Sequence, residues 1–271
     1  MYPVHLKTHI AVCLCMISIF LSSCFTGKKN TARLANTPLL FAHRGVSLQF
    51  PENSTGAYLI AKQKGFKAIE TDIQYTADDQ LVIFHDDNAG RLLNIDSSIN
   101  DMHSGFIKKQ QLMFNKRKSN SSVLMFDSLL KKYKDDFVIY LDIKFTKLKL
   151  IKKLAKTIEK YKAERSVIVA STSAKCIFYL ELFHPKITTA LEGFKAGKEW
   201  VYHAIPKKLQ PDFYSGTYAD VNEEHVKWMQ KNNFFEKRIV FGVDSSNYNK
   251  VSGEGFTHII IDYYPGFTAL Q

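Results

Sequence analysis

The chain has 271 residues, 45% of them apolar and 23% charged, with 13 Gly and 7 Pro. This composition excludes a disordered chain, a collagen-like fibre and a disulfide-built miniprotein, and it suits one large domain, since α/β barrels reach about 250 residues without splitting. Lys and Arg outnumber Asp and Glu by 37 to 26, a net charge of +11 that points to anionic company without choosing among nucleic acid, phosphorylated substrates and a membrane face.

The first element reads as an address. Residues Met1–Ser23 carry one formal charge, Lys7, and an apolar run from Ile10 to Leu21 broken only by Ser18. The run falls short of the about 20 residues that cross a bilayer as a helix, but it suits the core of a secretory signal. It closes in Leu21-Ser22-Ser23-Cys24, which resembles a bacterial lipobox and predicts that Cys24 is lipidated and heads the mature chain. The competing reading is ordinary cleavage with Cys24 incidental. Cys13 and Cys15 fall in the discarded segment, so Cys176 is left alone and no intramolecular disulfide is expected despite export. Residues 24–38 are then a lipidated Cys and a polar, Lys-bearing tether to a folded domain over 39–271.

From Leu39 onward, short apolar runs alternate with helix-period segments. Parallel strands are predicted at Leu39–His43, Ala68–Gln74, Val138–Lys144, Val167–Ser171, Ile187–Leu191, Asp212–Tyr214, Arg238–Val243 and His258–Asp262. Helices are predicted at Ser54–Lys64, Phe126–Lys132, Leu148–Tyr161, Ala174–Phe183 and Asn222–Lys231, the third showing the pattern best with Leu150, Ile151, Leu154 and Ile158 on one face. Eight such strands with interleaved helices imply an α/β fold of the (β/α)8 TIM-barrel type. Leu81–His85 follows the second strand too closely for a parallel crossover, so it should return antiparallel as a hairpin arm. Asp86–Val123 then reads as a long polar excursion, and a loop of that length in a compact domain is usually functional.

Active sites of such barrels gather at the C-terminal ends of the strands. The first strand runs into Phe41-Ala42-His43-Arg44-Gly45, the arm into Phe84-His85-Asp86, and the third core strand into Leu141-Asp142-Ile143-Lys144. Strand alternation puts Glu70 and Asp72 on one face, and likewise Asp142 and Lys144, among apolar neighbours destined for burial. Three carboxylates converging inside a barrel mouth repel one another unless a cation lies between them. Ligation by oxygen alone points to one divalent cation, Mg²⁺ or Ca²⁺, in preference to zinc. The plainer alternative makes Glu70 and Asp72 a solvated pair on an edge strand. Two histidines at strand ends beside Arg44 and this trio favour acid–base catalysis, because histidine changes charge near neutral pH. His103, His184, His203, His225 and His258 lack such company and read as structural or exposed.

Taken in order, His43-Arg44-Gly45, Pro51-Glu52-Asn53-Ser54, Glu70-x-Asp72, Thr76-x-Asp78 and His85-Asp86 resemble the glycerophosphodiester phosphodiesterases. Arg91 matches an arginine that usually follows the His-Asp pair, and Leu141–Lys144 the family's Leu-Glu-Ile-Lys strand. The resemblance covers about 40–271, dense in the first third and thin between Thr172 and Arg238. The chain departs from it at Asp142, where the family usually has Glu, at Asp79 for a customary Gly, at Phe241 for a Trp near the substrate, and at Gly242 for a Thr.

The resemblance implies metal-dependent hydrolysis of a small glycerophospho-alcohol to glycerol-3-phosphate and an alcohol. Glu70, Asp72 and Asp142 would hold the metal; His43 and His85 would exchange protons; Arg44, Lys144 and Phe241 would bind substrate. It further implies attack by the substrate's own glycerol hydroxyl, giving a cyclic phosphate that water opens. Glu52 and Asn53 are expected to brace the His43–Arg44 loop. The remaining readings are a phosphatidylinositol phospholipase C-like enzyme with Arg in place of the metal, a sphingomyelinase D-like enzyme, and a non-catalytic, lipid-anchored binding protein. Nucleic acid is not an expected partner, because the lysines are scattered over helices without an aromatic–basic module. No obligate protein partner is evident, and the membrane enters as a partner through the lipid on Cys24.

Overall fold

A computed structural model describes residues 37–267. The signal run, Cys24 and nearly all of the tether lie outside the described residues. In chain order the strands are β1 (Leu39–Ala42), β2 (Ala68–Tyr75), β3 (Leu81–Ile83), β4 (Gln111–Phe114), β5 (Arg117–Ser122) and β6 (Leu124–Met125). They continue with β7 (Val138–Ile143), β8 (Val167–Ser171), β9 (Thr188–Glu192), β10 (Phe213–Thr217), β11 (Arg238–Val243) and β12 (His258–Ile261).

Eight of these close a parallel barrel in the order β1-β2-β7-β8-β9-β10-β11-β12. Closure is made by β1, which pairs Phe41 and Ala42 with Ala68 and Ile69 on one side and Leu39–Ala42 with His258–Ile261 on the other. Helices at Thr55–Gln63, Phe126–Tyr133, Leu148–Lys160, Ala174–Phe183 and Glu223–Lys231 connect consecutive strands, joined by short ones at Trp200–Ala204 and Tyr248–Gly253.

Strand alternation sorts the barrel into two cores. Phe41, Ala68, Tyr140, Ile168, Ala170, Ala190, Phe213, Ile239 and Ile260 fill its interior, while their neighbours Ala42, Ile69, Leu141, Val169 and Val240 pack outward against the helices. The helix Leu148–Lys160 buries Leu150, Ile151, Leu154, Ala155 and Ile158, leaving its lysines on the opposite face. Each large aliphatic so buried contributes about 1.5–3 kcal/mol. Ser54 and Asn222 start their helices by accepting from the amides of Ala57 at 3.2 Å and His225 at 2.8 Å.

The hairpin arm forms as expected. β3 runs antiparallel to β2, and Asp79 in the turn adopts a left-handed φ of 55°, a conformation Asp tolerates. The sixth barrel strand starts and ends later than its apolar signal, at Phe213–Thr217, because Ser215 and Gly216 do not read as strand residues.

The excursion over 86–123 is not an open polar loop. It carries short helices at Gly90–Leu93 and Ser104–Ile107 and the antiparallel pair β4–β5. Leu92, Leu93, Ile99, Met102, Ile107, Leu112 and Val123 gather with Val82 and Phe84 into a core of their own. Their spacing follows neither a strand nor a helix period, so the apolar set is invisible as a pattern and becomes a core only through folding back onto β3.

Candidate active site

The inward phase of the strands carries directly into the site. Two residues beyond Phe41 comes His43; beyond Ala68 come Glu70 and Asp72; beyond Tyr140 come Asp142 and Lys144. In the same phase Glu192 follows Ala190, Phe241 follows Ile239, and Asp262 follows Ile260. All of these line one cavity of about 320 Å³ at the C-terminal mouth, together with Arg44, His85 and Gly242. That volume suits a small molecule.

The loop after β1 is tightly turned. Arg44 holds a φ of 53° and Gly45 one of 80°, and a Cβ on Gly45 would meet the Ala57 carbonyl carbon at 2.9 Å. A non-glycine left-handed residue costs about 1–3 kcal/mol, and the turn aims the Arg44 amide at Glu70 Oε2, 2.9 Å away. The Arg44 guanidinium lies 3.2 Å from Asp72 Oδ2 through Nε and donates from Nη1 to Glu52 Oε1 at 2.8 Å. Asn53, itself at φ 56°, donates to Asp72 Oδ2 at 2.9 Å and accepts from Thr71 Oγ1 at 2.8 Å. Glu52 and Asn53 therefore touch Arg44 and Asp72, and neither lines the cavity.

Each histidine is gripped at one nitrogen. His43 Nδ1 lies 2.6 Å from Asp262 Oδ1, and His85 Nδ1 lies 2.7 Å from Asp86 Oδ1. Hydrogen bonds from Arg91 and then from His85 hold the Asp86 carboxyl down at about 2 despite partial burial. The bond to His43 likewise lowers Asp262. An ionised carboxylate only accepts, so Nδ1 carries a proton in both rings, and whenever a ring is neutral its Nε2 is the acceptor.

Glu70, Asp72 and Asp142 offer oxygens within 4.8 Å of one another. Glu70 and Asp72 are buried at 4% and 1% exposure. Burial, reinforced by Asp72 and Asp142, pushes the Glu70 carboxyl well above the usual range, and burial also raises Asp142. Burial acts on Asp72 as well, but Lys144 and Arg44 outweigh it and lower that carboxyl. Lys144 Nζ sits 3.0 Å from Asp72 Oδ1 and 2.5 Å from Asp142 Oδ2. An oxygen-only trio with two buried members, in which Glu70 and Asp142 are both pushed toward the protonated form, fits a hard divalent cation, whose charge would remove the repulsion.

The sequence reading missed Glu192 and gave no site role to Asp262 and Tyr140. Tyr140 Oη donates to Glu192 Oε1 at 2.8 Å and is hydrogen-bonded to Ser215 Oγ at 2.7 Å. Burial, with Asp142 nearby, pushes the Glu192 carboxyl up to about 7. The available signal was an acidic residue just past an apolar strand run, in the same alternation phase as Ala190.

Residues 43–237 match the glycerophosphoryl diester phosphodiesterase family. A glycerophosphodiester phosphodiesterase of Caldanaerobacter subterraneus is 31% identical over 139 residues, 49% of this chain and 57% of its own. The Bacillus subtilis protein YqiK, uncharacterized, is 26% identical over 158 residues, 56% of this chain and 65% of its own. The aligned parts thus span under two thirds of these relatives. Among solved structures, an Oleispira antarctica phosphodiesterase in complex with the product sn-glycerol-3-phosphate superposes with a TM-score of 0.75 at 18% identity, covering 84% of this chain and 94% of that one. This last likeness is one of fold.

Proposed function

The chain belongs to the glycerophosphoryl diester phosphodiesterase family, and from that premise we propose that it hydrolyses glycerophosphodiesters to sn-glycerol-3-phosphate and an alcohol. The observation that carries this reading is the pairing of two carboxylate-gripped histidines with Arg44, Lys144 and an acidic trio around one cavity. A product complex of that kind in the Oleispira relative supports the substrate class.

In this reading Arg44 and Lys144 receive the anionic phosphoryl oxygens, and Phe241 packs against the carbon part of the substrate. His43 and His85 present Nε2, so one takes the proton of the attacking hydroxyl while the other returns a proton to the departing alkoxide. Asp262 and Asp86 keep the rings oriented and stabilise whichever is imidazolium. Glu52 and Asn53 fix Arg44 and Asp72. Glu70, Asp72 and Asp142 would hold one divalent cation, Mg²⁺ or Ca²⁺, which when bound supplies Lewis-acid stabilisation of charge on the phosphoryl oxygens.

We also propose that the domain is tethered to a bacterial envelope membrane through lipid on Cys24. Among the described residues no helix is long and apolar enough to cross a membrane.

The test is turnover of a small panel of glycerophosphodiesters with and without chelator, following sn-glycerol-3-phosphate. Release of that product, abolished by chelator and restored by Mg²⁺ or Ca²⁺, is expected. Turnover that persists in excess chelator would remove the cation from the reading, and absence of the product would overturn the reading as a whole.

A further inference from the structure

The acidic groups of the cavity fall into two sets that face different work. Glu70, Asp72 and Asp142 rise from the adjacent strands β2 and β7, and both cavity cations bind there: Arg44 and Lys144 each contact Asp72 within 3.2 Å. Asp262 is taken by His43. Glu192 lies outside that cluster, although Asp142 and Lys144 are near enough to act on its carboxyl. It ends β9, which in the ring of eight lies diametrically across from β1 and its His43–Arg44 loop. Its side chain accepts one hydrogen bond among the described residues, from Tyr140 to Oε1, and it still lines the cavity.

This arrangement dictates what each wall can receive. The anionic phosphoryl group belongs where Arg44, Lys144 and the cation that the trio would hold offset the carboxylates, whereas Glu192 forms no ion pair among the described residues and would repel it. Glu192 can only accept hydrogen bonds when ionised, so it suits the uncharged, hydroxyl-bearing end of the substrate. Between the two walls lie Ile260 and Phe241, apolar surface that a short carbon chain can cross. Tyr140 comes up from the barrel interior, two residues before Asp142, and its bonds to Glu192 and Ser215 tie β7, β9 and β10 together under the cavity. Ser215 is fully buried, so this support cannot be replaced by bulk water.

We propose that Glu192 reads the terminal hydroxyl of the substrate's glycerol, with Tyr140 and Ser215 as positioning residues, so that the site selects phosphodiesters of free glycerol over those in which this hydroxyl is missing or acylated. The proposal rests on the phosphodiesterase reading above and names the residue that sets its substrate class. Glu192 is partly buried, and an acceptor withdrawn from water and left without its donor is the situation in which polar sites discriminate.

The experiment compares glycerophosphoethanolamine with the ethanolamine diester of propane-1,2-diol 1-phosphate, which keeps the 2-hydroxyl and lacks only the terminal one. Wild type is expected to favour the glycerol compound by about 10² or more in kcat/KM. Glu192→Gln, which keeps volume but turns an amide into the cavity, should lose about 10²-fold on the glycerol compound, chiefly in KM, and stay within about threefold on the deoxy compound. Tyr140→Phe should lose an intermediate factor on the glycerol compound alone. Equal losses on both compounds, or a shifted Mg²⁺ or Ca²⁺ requirement in Glu192→Gln, would mean a structural or cation-holding role and overturn the proposal. An unchanged preference in Glu192→Gln would overturn it too, with the phosphodiesterase reading intact. Failure of wild type to turn over either compound would remove both.

Discussion

Arg91 holds Glu52 by both terminal nitrogens, Nη1 to Oε2 and Nη2 to Oε1, each at 2.7 Å. Its Nε reaches Asp86 Oδ2 at 2.7 Å in the same posture. One guanidinium from the excursion after β3 thus joins two loops: the loop of Arg44 through Glu52, and that of His85 through Asp86. Arg91 is about half exposed, so the pairs should contribute little to stability, within about 1 kcal/mol. Their effect is on position. Arg91→Met is expected to lower kcat by about 10- to 100-fold with the unfolding temperature nearly unchanged, and Arg91→Lys should restore little, because a single ammonium cannot make the forked contact. Unchanged kcat in Arg91→Met would show that the loops hold their places without it.

The acidic trio predicts how cation binding depends on pH. In the cation-free protein the folded Glu70 carboxyl stands well above its ordinary value of 4.5, by burial and then by Asp72 and Asp142. A raised folded value means the folded chain retains a proton that the unfolded chain releases. Glu70's contribution to stability is therefore full below about pH 4.5 and is lost as pH rises toward its folded value. Asp142 moves the same way and Asp72, paired with Lys144 and Arg44, the opposite way. A divalent cation takes the proton's place, so the rise in unfolding temperature on adding Mg²⁺ or Ca²⁺ should grow as pH rises from about 4.5 toward the raised folded value of Glu70. Glu70→Gln, a mimic of the protonated acid, should unfold at a higher temperature than cation-free wild type at neutral pH and gain little from cation. A cation effect independent of pH, or one retained in full by the variant, would contradict this account.

His43 and His85 are held alike, each by Nδ1 on a carboxylate, and this symmetry predicts that they work as a unit. Each His→Ala should reduce turnover by about 10² to 10⁴. The double variant should lose far less than the product of the two losses. Asp262→Asn should cost less than loss of His43 itself, because the ring remains but its favoured tautomer is no longer enforced. Fully multiplicative losses in the double variant would mean that one of the histidines only binds.

The barrel and the trio were legible in the sequence because both obey a period. Alternation along β2 and β7 alone places Glu70, Asp72, Asp142 and Lys144 on one face, and the structure puts all four in the cavity. What escaped notice lacks a period or a hydrophobic signal. Gly216 looks like a loop residue, yet a Cβ there would stand 2.3 Å from the Phe194 carbonyl oxygen and 3.0 Å from the Arg238 guanidinium, so the sixth strand needs it bare. The core of the excursion is built from scattered residues such as Ile99 and Ile107. Glu192 sat one residue past a predicted strand end, and only the ring order, with β9 facing β1, gives it a meaning.

The last prediction concerns Cys24, which lies outside the described residues. Leu21-Ser22-Ser23-Cys24 closes an apolar run too short to span a bilayer, and the stretch after it is polar and Lys-bearing. A diacylglycerol on Cys24 would supply two chains, and each buried methylene contributes about 0.8 kcal/mol, so attachment should hold without help from the protein's positive charge. Attachment by the lysines alone would instead weaken with salt, because exposed charges are screened beyond about 10 Å at 0.1 M ionic strength. Full-length protein expressed in a bacterial host should therefore stay with membranes through a high-salt wash and leave them in detergent. Cys24→Ala should be released as soluble protein or remain as uncleaved precursor, and mass spectrometry of the wild-type N-terminus should find the lipid on Cys24. Release of wild type by salt, or a mature N-terminus at any other residue, would show that the domain is exported without this anchor.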